Sequence, residues 1–553
     1  MEKGIAGHIA EFFINSKLTI LLMIGLMIIG VYSSTLIPRE EEPQIIVPMA
    51  DVMVGYPGAS PKEVESRVVK PLEKIISNIK GVEHVHAMAM NGRAMIIVQF
   101  YVGEDTERSY VKLYDELMKN RNIFPPGISE PMVKTRSIDD VPMLGLTLLS
   151  EKYNDFELRQ ITQELASEIK KEKDVSQTTV IGGRPRQLKI MLDREKMAES
   201  AVDPLAVMQM IQANNGSSQS GSFVSNDTEY LLKTGKFLTS QEDVENLVVG
   251  TSQSMPVYLK QIAMVTDGPA SPANYVSMGF GKGTEKGAKN PSEYPAVTLS
   301  VSKVKGADAM MISEQLLEKV ESLKKTLIPN DVHVEVTRNY GETASHKVSE
   351  LLLHLGVAII AVTILVMLAM GWRGGLVVFL SVPLTFALTL FSYYMLGYTL
   401  NRITLFALVF VVGIVVDDSI IIAENMHRHF HMKKLPFKQA AIYAINEVGN
   451  PTILATFTVI AAILPMAFVS GMMGPYMSPM PIGASIAMLL SLFVALTVTP
   501  YLGYHLLKVK DEKEHQEEQG LETGFIYKWY KKIEQPFLDS SKKRWVMLGI
   551  TGV

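Results

Sequence analysis

The sequence predicts an α-helical membrane bundle, six spans and the start of a seventh. It carries one large external α+β domain of ferredoxin-like strand-helix-strand repeats, with a further domain inserted among them. Three observations predict this. Apolar residues make up 47% of the 553-residue chain, and they gather in blocks of about 20, the length that crosses a bilayer. A hydrophilic stretch, 38–349, separates the first block from the rest. Within it a strand, an amphipathic helix and a second strand recur three times, the mark of small α+β modules with antiparallel or mixed sheets.

The elements follow in order. Residues 7–14 read as a short amphipathic segment lying at the membrane surface, with Ile9, Phe12 and Phe13 on one side. Residues 18–37 are nearly all apolar. That run is too long for a signal peptide and no A-x-A-like cleavage site follows it, so it reads as an uncleaved first span. The first strand-helix-strand copy covers 45–56, 61–80 and 94–102, its helix opened by Ser60 as cap and Pro61 at the first helical position. The second covers 143–149, 156–171 and 187–192, and the third 296–304, 308–326 and 332–337. Between these two, 183–268 breaks the pattern with the turn cluster Asn214-Asn215-Gly216-Ser217-Ser218 and a strand at 230–234, which suggests an inserted domain. The Gly- and Lys-rich stretch 279–295 reads as an exposed loop.

Five more spans are expected at 351–370, 376–396, 403–423, 452–469 and 482–507. Arg373, Arg428, Lys433, Lys434, Lys438, Lys508 and Lys510 fall in alternate loops, and the other loops hold only Arg402. The positive-inside rule therefore puts the N-terminus in the cytoplasm and the large insert outside. After Lys510 an acidic linker leads to 525–537, where Phe525, Ile526, Trp529, Tyr530, Ile533 and Phe537 share a helical face, as in an interfacial amphipathic helix. The apolar run 545–553 stops short of a span, so the chain reads as the N-terminal part of a longer protein.

Composition removes several classes. The absence of Cys excludes disulfides, thiolate metal sites and a Cys nucleophile. With 53 Lys and Arg against 57 Asp and Glu there is no nucleic-acid footprint. No P-loop pattern and no hydrolase or transferase constellation stands out, so the chain reads as neither an ATPase nor another enzyme, and no cofactor is expected.

The chemistry concentrates in 406–425, FALVFVVGIVVDDSIIIAEN, which places Asp417 and Asp418 at the middle of a span. Each central Asp costs roughly 2.5–3.5 kcal/mol on insertion, while each surrounding Val, Ile, Leu or Phe returns only about 0.3–0.6 kcal/mol. Neighbouring helix positions differ by about 100° in azimuth, so both carboxylates are expected in one interior sector rather than toward lipid. There, desolvation and mutual repulsion disfavour the doubly charged form, which is proton-carrier chemistry. A structural ion pair is the bland alternative, but no other span carries a Lys or Arg near its centre. Gly413, one turn ahead of Asp417, leaves room for a neighbouring helix. Glu424 and Asn425, on the same stripe near the helix end, read as interfacial polar anchors.

Four segments carry a resemblance: GIVVDDSIIIAENMHR at 413–428, PREEEPQI at 38–45, YPGASPKEVESRVVKPLE at 56–73 and ILPMAFVSGMMG at 463–474. Across essentially the whole chain they resemble the resistance-nodulation-division (RND) transporters, and most of all the N-terminal half of an inner-membrane permease of the hydrophobe/amphiphile efflux branch. The resemblance implies a proton-driven antiporter of the bacterial inner membrane, a homotrimer cycling through three conformations. It would take hydrophobic or amphiphilic small molecules from the periplasm or the outer lipid leaflet and pass them, with a periplasmic adaptor, to an outer-membrane channel. It maps the proton relay onto Asp417 and Asp418 and places their partner groups in a second half. It also divides the chain into a first membrane segment (1–37), a porter subdomain (38–137), a second porter subdomain split between 138–182 and 269–340, and a docking subdomain (183–268). Spans two to six (341–510), a cytoplasmic linker with its interfacial helix (511–541) and the start of a seventh span (542–553) complete it. Where drug-exporting relatives place pocket phenylalanines, this chain has Val141-Pro142 and Thr178-Thr179-Val180-Ile181, which argues against aromatic stacking at those points.

One motif stands outside that reading. Residues 83–90 are EHVHAMAM, and period-two alternation puts His84, His86, Met88 and Met90 on one strand face. Imidazole and thioether together suit a soft ion such as Cu(I) or Ag(I), so heavy-metal efflux by the same fold is the alternative function. The competing reading buries Met88 and Met90 in a sheet core and leaves the histidines at an exposed end. A membrane-anchored sensor or accessory subunit without transport of its own is the second alternative.

Overall fold

The structure, a computed structural model, describes residues 4–137, 140–252, 254–284, 293–507 and 525–552. Residues 285–292 of the loop expected at 279–295, and the linker from 508 to 524, lie outside the described residues.

Among the described residues five helices are long and apolar enough to cross a membrane: Leu18–Leu36, Tyr340–Met395, Arg402–Met432, Phe437–Phe468 and Met473–Leu506. The second runs for 56 residues but breaks at Gly371, where φ is 77° and ψ 170°. Only glycine adopts that backbone without strain, so the break falls between the two spans expected at 351–370 and 376–396. The helix also starts earlier than its apolar run, at Tyr340, capped by Asn339, whose Oδ1 accepts from the Glu342 amide at 3.1 Å.

Helices in lipid gain little from burying apolar side chains against each other, so close packing of small residues must hold them. A Cβ on Gly30 would lie 2.4 Å from the Ala387 Cβ, and one on Gly449 2.3 Å from the Ala6 Cβ. The second contact involves the N-terminal helix. In the N-terminal helix Ile5–Asn15, the buried face is Ala6, Gly7, Ala10 and Ile14; Phe12 is exposed. The Gly4 amide donates to Asn446 Oδ1 at 2.7 Å. The small face docks on the Phe437–Ile463 helix, and the aromatic face is left outward.

The hydrophilic stretch folds into two main sheets. In the first, β1 (Met49–Gly55), β2 (Val82–Met90), β3 (Arg93–Phe100) and β4 (Met132–Arg136) lie in the order β2-β3-β1-β4, all antiparallel. Its inner face, including Ala50, Val52, Val54, Ile96 and Val98, packs on Val64, Val68, Leu72 and Ile76 of the intervening helical segment and on Leu113 and Leu117. That segment starts at Pro61 behind the Ser60–Glu63 capping box and passes through a π turn at Glu65–Val69. Pro71, which has no N–H to give to the carbonyl a turn back, explains the irregular turn.

The second sheet orders Val175–Ile181, Glu293–Lys303, Pro142–Leu149 and His333–Asn339 side by side, all antiparallel. The strand closing the second repeat is thus Val175–Ile181. The expected 187–192 strand instead pairs, as Arg186–Leu192, with Ala263–Pro269. The junction between them, Gly182-Gly183, has φ of 87° and 65°, and a Cβ on Gly183 would lie 2.6 Å from the Asp155 carbonyl oxygen. Ser218–Ser225 and Thr228–Thr234 form a hairpin whose side chains are almost all exposed, with Phe223 stacked on Tyr230 at 5.1 Å.

Candidate functional site

Asp417 and Asp418 sit midway along Arg402–Met432, a helix started by Asn401, whose Oδ1 accepts from the Ile403 and Thr404 amides. The structure separates the two carboxylates. Asp418 is 8% exposed, and its Oδ1 accepts a hydrogen bond of 3.3 Å from Thr456 Oγ1. Asp417 is exposed, on a stripe with Phe406, Phe410, Gly413, Ile421 and Glu424. Within this chain the expected shared sector divides: a rotation of about 100° between neighbours is enough to carry Asp418 inside and leave Asp417 on the open stripe. Gly413 lies on the open stripe, with nothing within 4 Å of where its Cβ would be.

Buried hydroxyl groups recur on this helix and on those packed against it. Thr456 Oγ1 also bonds its own helix at Thr452 O, 2.9 Å away. Ser491 Oγ donates to Val415 O at 2.6 Å, and Ser419, Thr499 and Ser381 link hydroxyl to hydroxyl at 3.3 and 3.2 Å across three helices. These were not singled out from the sequence. Their signal was there: Thr452 and Thr456, like Ser381, Thr385 and Thr389, recur at four-residue spacing inside apolar runs, one helical face each. Ion pairs of the Arg402–Met432 helix lie toward its two ends. Arg402 meets Glu41 and Glu42, and Glu447 meets Arg428 at 3.1 Å and His429 at 2.8 Å. Asn425 is no interfacial anchor: it is buried, and its Nδ2 donates to Ala444 O at 2.7 Å and to Glu447 Oε2 at 3.1 Å. Glu424 is exposed.

The segment Pro38 to Gln44 ties this helix to the α+β domain. On one side the Leu400 amide donates to Pro38 O (2.9 Å), the Glu40 amide to Leu400 O (3.0 Å) and the Arg402 amide to Glu41 O (3.2 Å). On the other the Arg39 amide donates to Asp308 Oδ2 at 2.9 Å, and the Gly306 amide to Gln44 Oε1 at 3.1 Å. At its centre Lys303 Nζ is 2.5 Å from Glu40 Oε1, with the side chains 13% and 4% exposed. A cavity of about 360 Å³ opens beside it, lined by Glu40, Met143, Lys303, Tyr340 and Tyr476 among others.

On β2, His84, His86 and Met88 are exposed and Met90 is half-buried, while Val85, Ala87 and Ala89 pack inward. The four side chains do share a face, and it is the open one, so Met88 and Met90 are not core residues. Among the described residues no group of three or more His, Asp or Glu gathers in metal-binding geometry.

Apolar helices of membrane-spanning length, one with a carboxylate pair at its middle, tied by a short strap to a large α+β domain, define the class: an integral membrane protein built on the plan of a permease. The family model described as "AcrB/AcrD/AcrF family" matches residues 9–551, and the chain belongs to that family of RND permeases, which are transporters rather than enzymes. Multidrug resistance protein MdtC of Pantoea ananatis is 27% identical over 549 residues, covering 98% of this chain and 52% of that protein. The proteins of the same name from Proteus mirabilis and Photorhabdus laumondii are each 27% identical, over 502 and 552 residues, covering 90% and 98% of this chain and 47% and 51% of theirs. The chain spans about half the length of the curated relatives it matches.

Proposed function

We propose that this chain belongs to a proton-driven antiporter that exports hydrophobic or amphiphilic compounds from the periplasm or the membrane. The observation that carries the reading is the placement of Asp417 and Asp418 midway along a membrane-length helix, one buried against Thr456 and one on an open stripe. A carboxylate left toward lipid costs roughly 2.5–3.5 kcal/mol, so the stripe of Phe406, Phe410, Gly413 and Asp417 requires a polar or cationic partner surface, which completes the relay. Protonation removes buried charge and lets the helix shift against its neighbours. The strap at Pro38 to Gln44, bonded to Leu400 and Arg402 below and to Lys303, Gly306 and Asp308 above, carries that shift into the second sheet. A proton crossing the membrane supplies about 2.3 kcal/mol per 100 mV.

The bundle spans the bacterial inner membrane six times, with Gly371 dividing two spans and the α+β domain in the periplasm. Residues 38–137 form one porter subdomain, 138–182 with 269–340 a second, and 183–268 a docking subdomain. The exposed hairpin at 218–234, bearing Phe223, Tyr230, Leu231 and Leu232, supports assembly into a homotrimer that works with a periplasmic adaptor and an outer-membrane channel. The test expresses the full gene in a host stripped of its own pumps and follows survival on dyes and detergents. Protection that disappears with Asp417→Asn and with Asp418→Asn, while trimer assembly is retained, supports the reading. Unchanged protection in both variants overturns it.

A further inference from the structure

The strand pairings set β2's open face against three other strands. Met88 pairs with Met95 of β3, Met95 with Met53 of β1, and Met53 with Met132 of β4. One row across the whole sheet is therefore methionine on every strand. Met90 and Met49 stand on the same face one row and two rows away. Side chains directly opposite on neighbouring strands have Cβ atoms about 4.5–5.5 Å apart, within mutual reach of a flexible thioether. Met53, Met90, Met95 and Met132 line a common groove of about 640 Å³ together with Arg93, Ser129 and Glu130 among others.

Simple packing does not account for this segregation. The opposite face of the same sheet, with its supporting helices, is built from Ala, Val, Ile, Leu, Phe and Tyr and includes no methionine. If the open face needed only apolar area, the same β-branched residues would supply it with better strand propensity. What the methionines add is a soft, uncharged sulfur donor. Two further soft-ion ligands lie on that face: the His84 and His86 rings are 5.9 Å apart, on the strand leading to Met88. Asp51, two residues before Met53, is 6% exposed. Its Oδ2 accepts from Arg136 at 2.9 Å, and its Oδ1 has no hydrogen-bond partner.

We propose that this open face is a binding site for a soft monovalent cation, Cu(I) or Ag(I), with Met53 and Met95 of the two central strands as primary ligands. Met88, Met90 and Met132 are alternates within reach of the same ion, and His84 and His86 are the donors over which it approaches. The site is independent of proton coupling, since it lies in the first sheet and uses neither aspartate of the membrane helix.

The test uses the full chain purified in detergent. Cu(I), held reduced with ascorbate, is partitioned between the protein and a chromogenic Cu(I) chelator. The wild type is expected to withdraw one equivalent, and the Met53→Leu/Met95→Leu variant to bind at least tenfold more weakly, Leu being close to Met in volume. In parallel, wild-type protein is oxidised with peroxide with and without Ag(I), and sulfoxide is read at each methionine by peptide mass spectrometry. Protection concentrated on Met53 and Met95 is expected, which needs no variant to fold. Failure of the wild type to withdraw Cu(I), unchanged affinity in the double variant, or protection spread evenly over exposed methionines overturns the site and leaves the row as an apolar contact surface.

Discussion

Asp417 and Asp418 are consecutive in the chain, yet only Asp418 is buried, its Oδ1 held 3.3 Å from Thr456 Oγ1, while Asp417 lies on the exposed stripe of the same helix. The two positions therefore do different work. Asp418→Asn keeps a hydrogen-bonding group against Thr456 and removes the titratable one, so transport falls to background while the bundle stays assembled. Thr456→Val removes a single neutral donor, worth about 0.5–1.5 kcal/mol, and transport falls by roughly tenfold or less. Survival on dyes and detergents of a pump-stripped host expressing each variant of the full gene measures both, and a Thr456→Val defect as deep as Asp418→Asn would contradict this division.

The strap depends on a buried ion pair. Lys303→Met leaves the Glu40 carboxylate without its cation in a site 4% exposed. Breaking such a pair costs about 3–5 kcal/mol, whereas removing both charges is often neutral. Thermal unfolding of the purified protein should drop for Lys303→Met and recover in Glu40→Gln/Lys303→Met. If the strap also transmits motion, the stable double variant transports poorly.

The close approach of Gly30 to Ala387 makes a steric prediction with an internal control. Gly30→Val overpacks the contact, costing about 1–3 kcal/mol, since even a Cβ would lie 2.4 Å from Ala387. Gly25, on the same helix, has nothing within 4 Å of its Cβ position. Gly25→Val is expected to leave the melting temperature in detergent unchanged; equal losses in both would show a propensity effect instead of packing.

Asp155 accepts from both Arg184 Nε, at 2.9 Å, and the terminal guanidinium nitrogen, at 2.7 Å, and this bonding holds its carboxyl below the usual carboxylate range against a partial opposing effect of burial. The pair's stabilisation is present above the unfolded-state value of about 3.9 and is lost as pH falls through the lower folded value. Asp155→Asn should therefore lower the melting temperature at pH 7, with a gap to the wild type that narrows steadily as pH falls below about 3.9. A gap that persists in acid would assign the loss to the helix start instead of the charge.

The sequence determined what depends on neighbours along the chain. Apolar run length marked the membrane helices, the Ser60-Pro61 start held, and the period-two face of His84, His86, Met88 and Met90 is a face in the structure. Tertiary structure decided whatever depends on pairing. Helical spacing placed Asp417 and Asp418 one step of rotation apart, but only the packing of the Phe437–Ile463 and Pro479–Leu506 helices settles which step lies inside. The same holds for the N-terminal helix, whose small-residue face was chosen by the close fit of Gly449 to Ala6. Strand partners were equally hidden. Arg186–Leu192 has the pattern of a strand closing the second repeat, and its register with Ala263–Pro269 is set by a chain more than 60 residues away. Met53, Met95 and Met132 join Met88 in one row for the same reason: local periodicity fixes the face of a side chain, and only long-range register fixes what stands beside it.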